Sequence, residues 1–298
     1  ARIPSAAHEY MLYQALLVAW PLDGIDPPFV KRMRGYAVKA AREGKQQTSW
    51  LAPDEIYETG LENFLQRLLD REHSAAFIAS FDAFARRAAL IGALKGLAQL
   101  AMKMTMPGTP DFYQGSEFWD LSLVDPDNRR PVDFAARASV LEASGDEPDW
   151  TALAATWPHG HIKFALMRRL LALRQWLADV FANGAYRPIE VLGPDRSEVV
   201  AFARVSGRTA VIVATGRLFA RATHRGTRWP PGEAWNASLT VGRFSKIASV
   251  LGDRKAMTGP KLAVSDLFDA LPVAVLQAQY MPARNERAGA SLNQPAHA

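Results

Sequence analysis

Cysteine is absent from the 298 residues, which excludes disulfides, a thiolate metal site and a cysteine nucleophile and fits a reducing, cytoplasmic setting. No apolar run reaches the roughly 18 residues of a membrane-spanning helix. The opening "ARIPSAAHEY" lacks Met and lacks the basic start and apolar core of a signal peptide. It runs straight into an amphipathic segment, as a piece of a longer chain is expected to do. Lys and Arg total 35 against 30 Asp and Glu, for a net charge of +5 and a pI near 9.5, yet no block of like charge gathers anywhere. Nucleic acid is therefore an unsupported partner, because its footprint is a clustered basic face. GxGxxG, GxxxxGK and GxSxG are all missing, which removes the usual signatures of dinucleotide, nucleotide and serine-hydrolase sites. No cofactor is implied.

What is present is ordinary globular material, 49% hydrophobic and 22% charged, long enough for one large domain or two smaller ones. The first hundred residues carry helical periodicity. In "HEYMLYQALLVAW", Leu12, Leu16, Leu17 and Trp20 recur at three- and four-residue spacing before Pro21 stops the segment. "PPFVKRMRGYAVKAAREG" predicts a second helix begun by Pro27 and Pro28. "PDEIYETGLENFLQRLLD" predicts a third with a stripe of Ile56, Tyr57, Leu61, Phe64, Leu65 and Leu68. A fourth covers about Ala75 to Met104, with Phe77, Phe81, Phe84, Ile91, Leu94 and Leu97 on one side. Its last run, "LAQLAMKMTMPG", could instead close as a short buried strand, since a brief apolar run has no diagnostic period.

"HIKFALMRRLLALRQWLADVFANG" predicts a further helix, with Gly184 as a left-handed cap. From about Arg187 the texture changes to short β-rich runs, "IEVLG", "EVVAFARV", "TAVIVATG", "WNASLTV" and "PVAVLQAQ", separated by turns such as "PDRS" and "SGR". That change marks a domain boundary, and the second part reads as a small antiparallel β sandwich. The tail "PARNERAGASLNQPAHA" has the small, polar composition of a disordered segment.

Chemistry-bearing residues concentrate in two stretches. In "EGKQQTSWLAPDE", Lys45, Thr48, Ser49 and Trp50 lie between two predicted helices, where the Trp ring either stacks on a sugar or plugs the helix junction, the plug being the commoner use of a large ring. "PGTPDFYQGSEFWDLSLVDPDNRRPVD" holds Asp111, Glu117, Asp120, Asp125, Asp127 and Asp133 beside Arg129 and Arg130. These carboxylates suit sugar hydroxyls, and they equally suit turn capping and pairing with the two arginines. Glycoside chemistry needs two carboxyl groups held across one bond, which spacing alone does not establish. His159 and His161 in "WPHGHIK" lack a third metal ligand and fit the start of a helix as well.

Together "KQQTSWLAPDEIYE" and the long loop sequence resemble the C-terminal third of the maltooligosyltrehalose synthase family, of the α-amylase superfamily, over most of residues 1 to about 280. The resemblance implies a mixed α and β fold: the C-terminal part of a (β/α)8 barrel with a large helical insert, followed by a small antiparallel β-sandwich domain. Residues 1–100 would hold the helical insert and the approach to the last barrel strand, placed near "MKMTMPG". Residues 101–186 would hold the barrel end with a substrate-rim loop and final helix, 187–280 the β domain and 281–298 a disordered tail.

By the same resemblance, the whole enzyme isomerises the reducing-end α-1,4 bond of a maltooligosaccharide to an α,α-1,1 bond by a retaining double displacement, in a site that excludes water. The family's nucleophile, acid/base and third catalytic Asp precede the matching stretch, the last in a "THDTKR" type motif that is missing here. This chain is thus expected to be inactive alone and to need the remaining N-terminal part as partner, with no catalytic residue of its own. Asp111, Tyr113, Gln114 and Glu117 would lie at the sugar or behind the residues that touch it. Asp127, Asn128, Arg129 and Arg130 would form the substrate rim, and Lys45 and Trp50 would line the pocket for the released glucose. A glucan-binding scaffold without chemistry and an α-glucan hydrolase of the same superfamily remain alternatives.

Overall fold

Capping chemistry sets the first helices. Ser5 begins α1 (Ala6–Ala19), which ends where Trp20 turns extended ahead of Pro21. Asp26 caps α2 (Pro27–Gly44), accepting from the N–H of Phe29 at 2.8 Å, with prolines in the first turn where their missing N–H is harmless. Lys45 closes α2 in the left-handed conformation at φ 54°. Asp54 caps α3 (Glu55–Leu68) by accepting from Tyr57 N–H at 2.9 Å. The next helix, α4 (Arg71–Thr105), is 35 residues long with a non-helical break at Ser74.

In the computed structural model residues 2–252 and 256–282 are described; most of the tail expected to be disordered lies outside them. The described residues fall into two compact units. One comprises those up to Leu90 together with Asp120–Asp133, and the other Ile91–Trp119 together with those from Phe134 onward. In the first unit α1, α2 and α3 bury Leu12, Leu16, Met33, Leu61 and Leu65 completely or nearly so. Two residues of the expected stripes face water instead: Ile56 is 81% exposed and Phe84 54%.

The second unit carries the remainder of α4, then α5 (Phe134–Ala143), α6 (Trp150–Ala155), α7 (His161–Trp176) and α8 (Ala178–Ala182). Among the described residues nine strands follow: β1 (Ala185–Pro188), β2 (Val191–Leu192), β3 (Val199–Ser206), β4 (Thr209–Gly216), β5 (Ser238–Thr240), β6 (Phe244–Ser249), β7 (Ala256–Met257), β8 (Lys261–Ala263) and β9 (Val273–Tyr280), with a one-turn α9 (Val264–Leu267) between the last two. They form a six-stranded sheet in the order β1-β3-β4-β9-β6-β7 and a three-stranded sheet β2-β5-β8. Every pairing among the described residues is antiparallel. The central β4 is buried along nearly its whole length, which explains why "TAVIVATG" reads as a continuous apolar run without alternation. Val211, Val213, Val273 and Val275 share a core with Leu166, Leu170 and Leu173 of α7.

Three local expectations are corrected. "MKMTMPG" is not a strand: α4 runs to Thr105, and residues 106–126 contain no strand. A single barrel strand there has no parallel neighbour among the described residues to satisfy its N–H and C=O groups, whereas the helix satisfies them internally. The long terminal helix is also broken, with Leu177 separating α7 from α8. Gly184 is not a left-handed cap, since its φ is not among the positive ones. It is required because a Cβ there would lie 2.2 Å from Val180 O. Among the described residues no helix is long and apolar enough to cross a membrane.

Candidate functional site

In the first unit, the turn between α2 and α3 is built around a buried carboxylate. Glu58 is 7% exposed and accepts from Arg42 Nε at 2.7 Å and Nη2 at 2.6 Å, and from the Thr48 hydroxyl at 2.6 Å. The Arg42 fork holds this carboxyl below its ordinary value, burial opposing and the Thr48 hydroxyl assisting. Trp50, outside that cluster, is 55% exposed with the Arg42 guanidinium 4.9 Å from its ring centroid. It is therefore no buried plug of the helix junction, the use that ring size alone favoured. Lys45 is exposed, its backbone N–H donating to Ala41 O at 3.2 Å.

The same unit contains the second half of the long loop. Asp127 accepts from Arg32 Nε and Nη2, both at 2.9 Å, and from Leu123 N–H at 2.8 Å. Burial pushes its carboxyl up, but the Arg32 and Leu123 donors and the charges of Arg32 and Arg130 outweigh it, so the net shift is downward. Arg129 pairs with Asp125 at 2.5 Å. Arg130 pairs with Asp127 at 3.2 Å and donates to Ser122 Oγ at 3.0 Å. Asn128, between Asp127 and Arg129 in a single 3-10 turn, is exposed. Asp120 caps its own turn, accepting from Ser122 N–H at 2.9 Å.

In the second unit the first half of the loop leaves α4 through Pro107 and Gly108. Asp111, Tyr113 and Gln114 are exposed, Tyr113 by 80%, and their side chains make no hydrogen bond or ion pair among the described residues. Glu117 accepts from Arg137 Nε at 2.7 Å, while the Arg137 guanidinium sits 4.9 Å from the Phe118 ring centroid. Lys163 Nζ donates to Phe118 O at 2.8 Å, and Trp119 Nε1 to Trp157 O at 2.7 Å. Gly160, at φ +79°, lets the start of α7 approach this segment, since a Cβ would lie 3.0 Å from Trp119 N.

The loop carboxylates thus divide by use. Asp120, Asp125, Asp127 and Glu117 are engaged by backbone N–H groups or arginines, Asp133 too has a partner, and Asp111 is exposed with no hydrogen bond or ion pair among the described residues. Of the expected site residues, Asp111, Tyr113 and Gln114 in the second unit and Lys45, Asn128 and the Trp50 ring in the first are exposed. Within each unit they present hydrogen-bond donors or acceptors to solvent, and in the first unit one flat ring face as well. Arg32, Arg42, Glu58, Arg137 and Lys163, which hold these stretches in place, were missed from sequence. Their hydrogen-bond partners lie 10 to 95 residues away, and no local pattern announces such pairs. His159 and His161 lie at the start of α7 with ring centroids 5.9 Å apart. Among the described residues no group of three or more His, Cys, Asp or Glu could hold a metal.

No family model matches the chain. A Mycobacterium tuberculosis protein described as a maltooligosyl trehalose synthase is 34% identical over 248 residues, which is 80% of this chain and 29% of that protein. The solved maltooligosyltrehalose synthase of Arthrobacter ramosus is 30% identical, with a TM-score of 0.69 over 91% of this chain and 32% of its own. A further solved maltooligosyl trehalose synthase is 27% identical with a TM-score of 0.70, again over 91% of this chain and 33% of its own. The chain therefore spans about a third of the length of the relatives it matches.

Proposed function

We propose, on the premise that the chain belongs to the maltooligosyl trehalose synthases and corresponds to their C-terminal portion, that it contributes substrate-holding surface to a glucan isomerase. The whole protein would convert the reducing-end α-1,4 bond of a maltooligosaccharide to an α,α-1,1 bond by intramolecular transglycosylation, completing a trehalose unit. The observation that carries this reading is the agreement of sequence and backbone over most of the chain, 34% identity in one relative and a TM-score of 0.69 in another.

In that reaction a carboxylate attacks the anomeric carbon while an acid protonates the leaving oxygen. The freed glucose turns and attacks the glycosyl-enzyme through its own anomeric hydroxyl. Holding that glucose and excluding water is a task for hydrogen-bond donors, acceptors and aromatic faces, and the free side chains described above supply these, Tyr113, Gln114, Asn128 and Trp50 without charge and Asp111 and Lys45 with it. The engaged state of Asp120, Asp125, Asp127 and Glu117 supports assigning the bond-breaking carboxylates to the part of the relatives that this chain does not cover. Residues 101–186 would then belong to the end of a (β/α)8 barrel and 187–280 to a β-sandwich domain, with 1–100 a helical insert.

Incubation of the purified chain with maltopentaose, followed by measurement of reducing ends and released glucose, is expected to give neither isomer nor hydrolysis product. Turnover by the chain alone overturns this assignment of the carboxylates. In a full-length enzyme containing this sequence, Ala at Asp111, Tyr113, Gln114, Asn128 or Arg129 is expected to raise the share of hydrolysis. An unchanged isomerisation-to-hydrolysis ratio across all five removes them from the substrate surface.

A further inference from the structure

An exposed indole makes a rigid binding surface only if something behind it fixes its plane, and Trp50 has such a backing. Its turn is closed at both ends: Ser49 N–H donates to Ala52 O at 3.2 Å, and Ala52 N–H donates to Ser49 Oγ at 3.0 Å. Thr48, 3% exposed, is pinned from two sides, its hydroxyl donating to Glu58 at 2.6 Å and accepting from Asp54 N–H at 2.9 Å. Glu58 holds both forks of Arg42, and the planar guanidinium so held stands 4.9 Å from the Trp50 ring centroid. Arg42 cannot rotate away from the indole without leaving the carboxylate.

A bidentate pair of this kind loses less side-chain freedom on each new contact than a flexible Lys would. A cation on one face draws some electron density from the ring, so the gain lies in placement more than in attraction. What remains open is an apolar plane, 55% of the residue being in solvent. Such a plane matches the C–H face of a glucopyranose, whose C2, C3 and C4 hydroxyls are equatorial and leave axial C–H groups on the ring face.

We infer that Trp50 is a stacking platform for one glucose ring of an α-glucan, and that Glu58, acting through Arg42, is the positioning residue that fixes its plane. The inference rests on the reading of the substrate as a maltooligosaccharide, and its test separates the two.

The chain contains eight tryptophans, so 5-fluorotryptophan labelling gives resolvable 19F resonances, that of Trp50 being identified by its loss in Trp50→Phe. Titration with maltopentaose is expected to shift the Trp50 signal saturably. Trp50→Ala, a change at an exposed ring that leaves the core intact, is expected to abolish the calorimetric heat. Glu58→Gln and Arg42→Lys are expected to move the free-state Trp50 resonance and weaken Kd roughly three- to tenfold, whereas Thr48→Ser, which keeps the hydroxyl, retains wild-type affinity. Thermal melts of each variant identify any loss that is only unfolding, and Trp50→Ala then decides the platform by itself.

If the Trp50 signal stays fixed while another, such as Trp119, moves, the platform is overturned and the glucan reading stands. If no resonance moves and no heat is released, both fall for this chain. If Glu58→Gln and Arg42→Lys leave the resonance and Kd unchanged while Trp50→Ala abolishes binding, the positioning role is overturned.

Discussion

Glu58 and Asp127 show how a residue's surroundings decide its use. Both are held below their ordinary values, 4.5 and 3.8 respectively, because the folded chain favours their ionised forms. A depressed carboxyl contributes stability that is complete above its unfolded value and is lost as pH falls through the folded one. Urea midpoints should therefore fall as the pH is lowered below about 4.5. The double variant Glu58→Gln, Asp127→Asn should be weaker at neutral pH and should lose less on acidification. Gly184 presents the opposite case, a residue chosen for what it omits. Gly184→Ala places a Cβ 2.2 Å from Val180 O, and backbone cannot step aside as a flexible side chain can. A loss of about 1–3 kcal/mol is expected in urea unfolding; an unchanged midpoint counts against the tight approach.

At the scale of elements, α4 is the instructive one. Its C-terminal carbonyls in the second unit are met by two arginines from elsewhere in that unit. Arg174 Nη1 donates to Met104 O at 2.7 Å, and Arg204 Nη1 to Thr105 O at 3.2 Å. Arg204, 1% exposed, also donates to Phe181 O at 3.1 Å and Gly184 O at 2.7 Å. Positive charge at a helix C-terminus is favourable, and the carbonyls satisfied here have no helical partner. Burial, with a smaller push from Arg174, lowers the Arg204 pKa, yet the guanidinium stays charged at any ordinary pH. Arg204→Met fills the volume but leaves three carbonyl contacts, two of them buried, unmade, so a loss of about 3 kcal/mol is expected, read as a lower urea midpoint. An unaltered midpoint would mean that water replaces the guanidinium at no cost. The same anchoring accounts for the helix persisting to Thr105 where a strand was expected.

Across the whole molecule, the two units have cores without a common residue. Leu12, Leu16, Met33, Leu61 and Leu65 belong to one, and Leu166, Leu170, Val211, Val213 and Val275 to the other. Chains with separate cores commonly depart from two-state unfolding. Calorimetry is expected to resolve two transitions, with Leu65→Ala lowering one and Leu166→Ala the other, each by about 2–5 kcal/mol for a fully buried leucine. A single transition that both substitutions shift alike would show one cooperative block.

Much of the framework was legible in the sequence, because helix starts, apolar spacing and hairpin turns are local. Pro27 and Pro28 at the start of α2, the spacing of Tyr57, Leu61 and Leu65 in α3, and the β-rich runs from Val199 to Gly216 declare their structure within a few residues. Motif chemistry, too, pointed to its relatives through "KQQTSW" and the loop after α4. What only the tertiary structure decided was the fate of each polar group. Whether Asp127 meets a sugar or Arg32, whether Trp50 plugs a junction or faces water, and whether Gly184 turns or merely yields space depend on atoms brought close by folding from distant parts of the chain. Hydrogen bonds and steric contacts act over a few ångströms, so sequence proximity carries little of that information, while propensity and period, which act along the chain, carry the rest.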